Sequence, residues 1–201
     1  MRTIRVATPA DAAGVAAVYA PVVAGTAISF EYQPPAEAEV ARRMTAALAF
    51  APWLVCCDGA EVIGYAYASR HHERAAYQWS VDVSVYIRDG RRRGGVGRAL
   101  YGSLLALLRL QGFRAAHAGI TLPNPASVGL HEALGFRPVG VYPAVGFKLG
   151  AWHDVGWWQL VLAPRRGAPP PPLGMAALLA DPGFEAALAA GVPLLGPPAS
   201  P

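Results

Sequence analysis

Residues 79–111 carry the pattern that leaves the fewest folds open. From 79 to 87 apolar and polar side chains alternate: Val81, Val83, Val85 and Ile87 fall on one face, Ser80, Asp82, Ser84 and Tyr86 on the other. Such alternation is the mark of a strand with one buried face. Arg92-Arg93-Gly94-Gly95-Val96-Gly97 comes next, and 96–111 then repeats Leu100, Leu104, Leu107 and Leu108 at helical spacing. Strand, glycine turn and helix in that order set a helix N-terminus at the end of a strand. Its unpaired N–H groups and positive dipole end can hold phosphate, and glycines let the backbone come close. The plain alternative is a tight turn with solvated arginines. No Gly-Lys-Ser/Thr follows, so the loop is not of the Walker type, and the third glycine of a dinucleotide fingerprint is missing.

Around this unit the elements alternate. A strand at 3–7 leads to Thr8, Pro9 and Asp11, which cap and open a helix with a Val15, Val18, Tyr19, Val22 stripe. A helix is expected at 36–49, then a hairpin of 53–58 and 62–69 turning at Asp58-Gly59. A strand at 114–120 precedes a helix at 124–134, capped by Asn124, opened by Pro125 and stopped by Gly135. Strands at 137–145 and 152–162 complete a mixed α/β (α+β) domain, a single mostly antiparallel sheet flanked by helices. From Pro164 onward proline and glycine interrupt the chain too often for a packed core. The reading is therefore a domain at 1–163 that folds alone and a Pro/Ala/Gly-rich tail at 164–201. That tail is taken as largely irregular, with short helices at 175–180 and 184–190 and no chemistry of its own.

Bulk properties exclude several classes. The chain has 201 residues, and 54% of them are apolar, enough for a sizeable core in one domain. A net charge of +4 is too mild to argue for nucleic acid. Arg88, Arg91, Arg92, Arg93 and Arg98 cluster instead, which suits one local anionic ligand. Cys56 and Cys57 are adjacent, so a disulfide between them would be strained, and they offer no metal-binding spacing. No signal peptide or membrane span is apparent. A cytoplasmic protein is expected, with no metal, membrane or nucleic-acid partner.

Two groups are candidates for proton transfer. Asp82 lies on the polar face of the strand that enters the glycine loop, where a solvated aspartate is the alternative. On the 124–134 helix, Asn124, Ser127 and His131 share one face. His131 suits a proton donor or second base because imidazole titrates near neutrality. A helix histidine is otherwise a surface or satisfied core residue.

These residues together resemble the GNAT superfamily of N-acetyltransferases. Arg92-x-x-Gly95-x-Gly97 is similar to the superfamily's Arg/Gln-x-x-Gly-x-Gly/Ala loop. Asn124-Pro125-Ala126-Ser127 followed by 130–136 resembles its closing helix. The phosphinothricin acetyltransferase branch carries histidine where His131 stands, and it also resembles this chain at Ile28-Ser29-Phe30-Glu31, Arg74-x-Ala76-Tyr77-x-Trp79, Val145-Gly146-Phe147-Lys148 and 152–156. The likeness covers about 3–162 and leaves the tail outside. It implies a GNAT fold with acetyl-CoA bound where the central strands splay. The loop residues Arg92, Arg93, Gly94, Gly95, Val96 and Gly97 would hold the CoA pyrophosphate. Val85, Tyr86 and Ile87 would pair with the pantetheine arm, and Asn124 and Ser127 would also meet the cofactor. Asp82 and His131 become the catalytic pair. Phe30, His71, His72, Glu73, Arg74 and Tyr77 would form the substrate site, although core packing also explains Phe30, Tyr77 and the tryptophans.

The implied reaction is direct attack by the α-amine of a small amino acid analogue on the thioester. Phosphinothricin, methionine sulfoximine or methionine sulfone are the expected acceptors, acetyl-CoA the donor, with no metal. A homodimer is possible, since the branch is often dimeric. Two departures stand out: Ser80-Val81-Asp82 replaces Thr-Val-Glu, and His72 replaces an arginine or lysine. The shorter Asp82 leaves open a weakened acyl-CoA-binding module acting as sensor or scaffold.

Overall fold

The computed structural model describes residues 1–164 and 166–196; Arg165 and 197–201 of the expected tail lie outside the described residues. Seven strands form one sheet: β1 (Arg2–Val6), β2 (Trp53–Asp58), β3 (Glu61–Arg70), β4 (Ser80–Ile87), β5 (Ala115–Leu122), β6 (Arg137–Lys148) and β7 (Ala151–Val161). Their spatial order is β1-β2-β3-β4-β5-β7-β6. Every neighbouring pair is antiparallel except β4 and β5.

Helices cover both faces. On one lies α3 (Val96–Gln111), capped at each end by a glycine in the left-handed region, Gly95 at φ 76° and Gly112 at φ 98°. Its leucines pack on Val81, Val83, Ala116 and Ala118. On the other face lie α1 (Ala12–Gly25) and α2 (Glu37–Leu48), whose Val15, Val18, Val40 and Met44 meet Trp53, Val55 and Tyr65. The start of α1 follows from its sequence: the Asp11 carboxylate accepts the Thr8 N–H at 2.8 Å and is held by Arg5 at 2.7 Å. Strand alternation sends Cys56 into the α3 layer and Cys57 into the opposite one, and both thiols are free. Among the described residues no helix is long and apolar enough to cross a membrane.

The segment after Pro164 is not detached from this core. Its short helices α5 (Met175–Leu179) and α6 (Phe184–Ala189) form close to where they are expected. They then bury Met175, Leu178 and Phe184 in the α3 cluster, against the expectation of an irregular tail outside the packed domain. The physical reason lies in α3, which buries residues all around its axis, Ala99, Ser103 and Gln111 as well as the leucines. A helix buried all round needs a second cover beyond the sheet. The Ser103 hydroxyl donates to the Leu188 carbonyl at 2.6 Å, and the Gln111 amide to Leu173 at 2.8 Å. Gly191 approaches so closely that a Cβ there would collide with the Ala99 carbonyl.

Each of the three buried tail side chains contributes about 1.5–3 kcal/mol of apolar burial, offset in part by the entropy of ordering the segment. Truncation after Ala163 is expected to lower the melting temperature by roughly 5–10 °C. Scanning calorimetry on the two lengths tests this, and equal melting temperatures would contradict it.

Candidate active site

The parallel pair β4–β5 holds for only three rungs, Ser80↔Ala115, Val81↔Ala116 and Asp82↔His117. Beyond Asp82 and His117 the two strands part. The rest of β4 stays paired with β3 on its other side, through Ser84↔Tyr67 to Ile87↔Gly64. Its inner edge therefore faces a cleft, lined by Ser84, Val85 and Tyr86 from β4, Gly119 and Thr121 from β5, Ser127 and His131 from α4 (Pro125–Ala133), and Asn124 just before it. Asn124 caps α4 as its sequence suggests, its side-chain oxygen accepting the Ser127 N–H at 3.1 Å.

The loop 92–97 follows at the open end of β4. Gly94 gives its carbonyl to the tail, accepting the Gly196 N–H at 3.1 Å, while Arg2 reaches both Gly94 and Gly196 carbonyls at 3.4 and 3.1 Å. Among the described residues the N–H groups of Arg92, Arg93, Gly94 and Gly95 find no backbone carbonyl outside the helices and strands. Arg93 also sits in the left-handed region at φ 65°. Two glycines here have different reasons. At Gly95 a Cβ would collide with the Leu194 carbonyl of the tail, and at Gly97 it would come 3.2 Å from Leu130 of α4. The arginine cluster is partly spoken for. Arg88 and Arg91 pair with Glu61 at 3.3 and 3.0 Å, and Arg92 pairs with Asp89 at 2.8 Å.

At the vertex of the splay, Asp82 Oδ1 lies 2.7 Å from His71 Nδ1. The His71 ring stacks on His117 with centroids 4.3 Å apart, and His72 and Tyr77 lie 4.4 and 5.9 Å away. Thus Asp82, His71, His72 and Tyr77, chosen from the sequence, come together. Glu73 and Arg74 are exposed on the same loop. Phe30 does not join this group; its ring neighbours are Gly146, where a Cβ would collide with it, and His153.

His131 is buried, 3% exposed, between two partners. Nδ1–H donates to the Ser127 carbonyl at 2.8 Å, which leaves Nε2 to accept from the Tyr101 hydroxyl at 3.0 Å. Burial lowers its pKa below the ordinary histidine value, and the Ser127 carbonyl only partly opposes that. The imidazole is therefore neutral with both nitrogens engaged, so a free proton donor, the role its sequence suggests, is not what the geometry offers. Two segments far apart in sequence also meet. Lys148 Nζ donates to the Ser29 and Val23 carbonyls at 2.7 and 2.6 Å, and Arg43 holds Glu31 at 2.7 Å. The 28–31 and 145–148 stretches thus form one support.

The family model for an acetyltransferase (GNAT) domain matches residues 4–157. The chain belongs to the GNAT acetyltransferase family. A phosphinothricin N-acetyltransferase of Streptomyces viridochromogenes is 40% identical over 156 residues, covering 78% of this chain and 85% of that protein. An L-methionine sulfoximine/L-methionine sulfone acetyltransferase of Pseudomonas aeruginosa is 38% identical over 172 residues, 83% and 98% of the two chains. Among solved structures, a GNAT superfamily phosphinothricin acetyltransferase from Sinorhizobium meliloti in complex with AcCoA superposes with a TM-score of 0.77 at 37% identity, covering 80% of this chain and 88% of that one. The mixed sheet is the GNAT fold, and the protein is an acyltransferase.

Two residues of this GNAT site escape sequence reasoning. His117 becomes visible only through the β4–β5 register that sets it opposite Asp82. Tyr101 hides on the apolar side of α3, where a lone phenol beside leucines reads as packing; its burial raises its pKa.

A lowered folded pKa means that the unfolded chain takes up a proton that the folded chain refuses. The stability contribution of a neutral His131 is whole above the ordinary value of about 6.5 and is lost as pH falls through the lowered folded value. Melting temperature should therefore drop more steeply for the wild type than for His131→Gln as pH falls from about 7 to 5. Parallel curves would remove His131 as the source.

Proposed function

We propose that this GNAT enzyme transfers an acetyl group from acetyl-CoA to the α-amine of a small amino acid analogue of the phosphinothricin, methionine sulfoximine or methionine sulfone type. The single observation that carries the reading is the parting of β4 from β5 directly after Asp82 and His117. It leaves backbone groups of Val83–Ile87 turned to a cleft with no strand partner among the described residues, and an extended amide-bearing arm is what such an edge accepts. The N–H groups of the 92–95 loop, without a backbone carbonyl partner among the described residues, and the α3 N-terminus suit a pyrophosphate. The named acceptors of the two relatives support the substrate class.

In this reading Asp82 stands where the acetyl thioester ends, and it favours loss of a proton from the ammonium. Asn124 and Ser127 sit beside the pantetheine arm. His131, neutral and fixed by Tyr101, shapes the cleft wall. The reaction needs no metal and no covalent intermediate. His72, with Tyr77 and the exposed Arg74, faces the acid group of the acceptor. Phe30 borders the substrate from the β6–β7 side. The free, buried Cys56 and Cys57 fit a reducing cytoplasm. A homodimer is supported by β6, an edge strand that exposes Val139, Val141, Tyr142, Val145 and Phe147.

Release of CoASH with an amino acid analogue panel separates an enzyme from a binding module. Asp82→Asn is expected to lower kcat by about 10²-fold or more, within the range for general acid–base catalysis, with acetyl-CoA affinity unchanged. Near-normal turnover in that variant would take Asp82 out of the chemistry.

His72→Arg tests the acceptor pocket. Histidine carries a charge only part of the time near neutrality, whereas arginine always does. At about pH 8 the arginine variant should show a lower KM for phosphinothricin. An unchanged KM would mean that His72 does not meet the acid group.

A further inference from the structure

We infer that His71 is the base that takes the proton from the acceptor amine, with Asp82 acting through it as the carboxylate of an Asp–His dyad. The inference rests on the acetyl-transfer reading above and adds a residue to it. Its starting point is the shortness of Asp82 and the 2.7 Å contact of its Oδ1 with His71 Nδ1. A carboxylate only accepts, so Nδ1 carries the hydrogen, and neutral His71 keeps its lone pair on Nε2. Aspartate bonded to one ring nitrogen fixes the tautomer at the other and stabilises the imidazolium once it forms. The methylene missing from Asp82 is thereby replaced by an imidazole.

The surroundings hold that ring in one orientation. His71 follows directly after β3, whose Ser69 is in register with Asp82. One ring face stacks on His117 at an interplanar angle of 18°, while Trp157 and Tyr77 meet it edge-on at 6.1 and 5.9 Å. The titratable groups around it are Asp82 on β4, His117 on β5, and His72 and Tyr77 on its own loop. The Gln159 side-chain nitrogen lies 2.8 Å from His117 Nε2. The Asp82 carboxylate at Nδ1 balances the charge of His71 once it is protonated. The His71 and Asp82 side chains remain 19% and 29% exposed, so a proton can pass on to water.

His71, Asp82 and His117 also present ligand atoms within 4.8 Å of one another, the spacing of a metal site. The stacked rings argue for proton transfer instead. In-plane lone pairs on two nearly parallel rings run side by side and do not converge on one ion. The ammonium gives one proton to His71 Nε2, the nitrogen–carbon bond forms as the carbon–sulfur bond breaks, the second amine proton ends on the sulfur as CoASH, and the imidazolium releases its proton to water.

His71→Asn tests the dyad in the full chain. Asparagine keeps an N–H donor near the Nδ1 position and so keeps Asp82 oriented, but it has no second nitrogen. The expected result is a fall in kcat of about 10²-fold or more, with KM for the amine and the acetyl-CoA Kd changed less than a few-fold. Retained kcat, or a rise in KM alone, would overturn the proposal. Nitrogen-15 NMR of the imidazoles reads the tautomer independently of turnover. His71 should be Nδ1–H in the neutral wild type and should lose that preference in Asp82→Asn. An Nε2–H wild type overturns the dyad even in an active enzyme. Correct tautomer without CoASH release from any amine overturns the acetyl-transfer reading and the base role with it.

Discussion

An unpaired strand edge in the middle of the sheet is the constraint on which the rest of the molecule depends. Buried backbone donors and acceptors are costly when left without partners. Here they are exposed by design of the topology: β4 keeps β3 on one side and loses β5 on the other after Asp82. A sheet edge at the rim can be blunted by charge or covered by a loop. One opened in the interior instead makes a slot whose walls are already rigid. Leucines of α3 hold β4 from one face, and α1 and α2, packed on the Trp53–Tyr65–Tyr67 stack of β2 and β3, hold the sheet from the other. The proposed acceptor amine and acyl donor meet where the two strands begin to separate.

The same logic explains why the glycine loop needs support from behind. Turns that expose several N–H groups in one direction leave carbonyls facing the other way. Gly94 resolves this by giving its carbonyl to Gly196 and Arg2, which ties the first strand, the loop and the C-terminal segment at Gly196 together. The C-terminal segment thus belongs to the physics of the loop although it lies beyond the 4–157 family match.

Much of this was legible in residue order. The alternation in β4, the leucine stripe of α3 and the Asn124-Pro125 opening of α4 each announce a local structure that the fold keeps. The Asp82 side chain, placed on the polar strand face, lands at the vertex. What could not be read were relations set by register and by covering. His117 is an unremarked strand histidine until β5 pairs in parallel with β4. Arg88 and Arg91 read as ligand charges until Glu61 arrives from the neighbouring hairpin. The tail reads as irregular because proline and alanine dominate it, while Met175, Leu178 and Phe184, few and widely spaced, are what α3 requires. His131 was found from its helix face, but its partner Tyr101 and the neutral state that follows from burial are tertiary facts.

A crystal structure of the full chain grown with acetyl-CoA tests the central claim most directly. The account predicts pantetheine amides bonded to the inner edge of β4, pyrophosphate oxygens on the 92–97 loop, and the acetyl carbonyl beside the Asp82–His117 rung. Acetyl-CoA bound elsewhere, with β4 and β5 still parted and their edges empty, would contradict it.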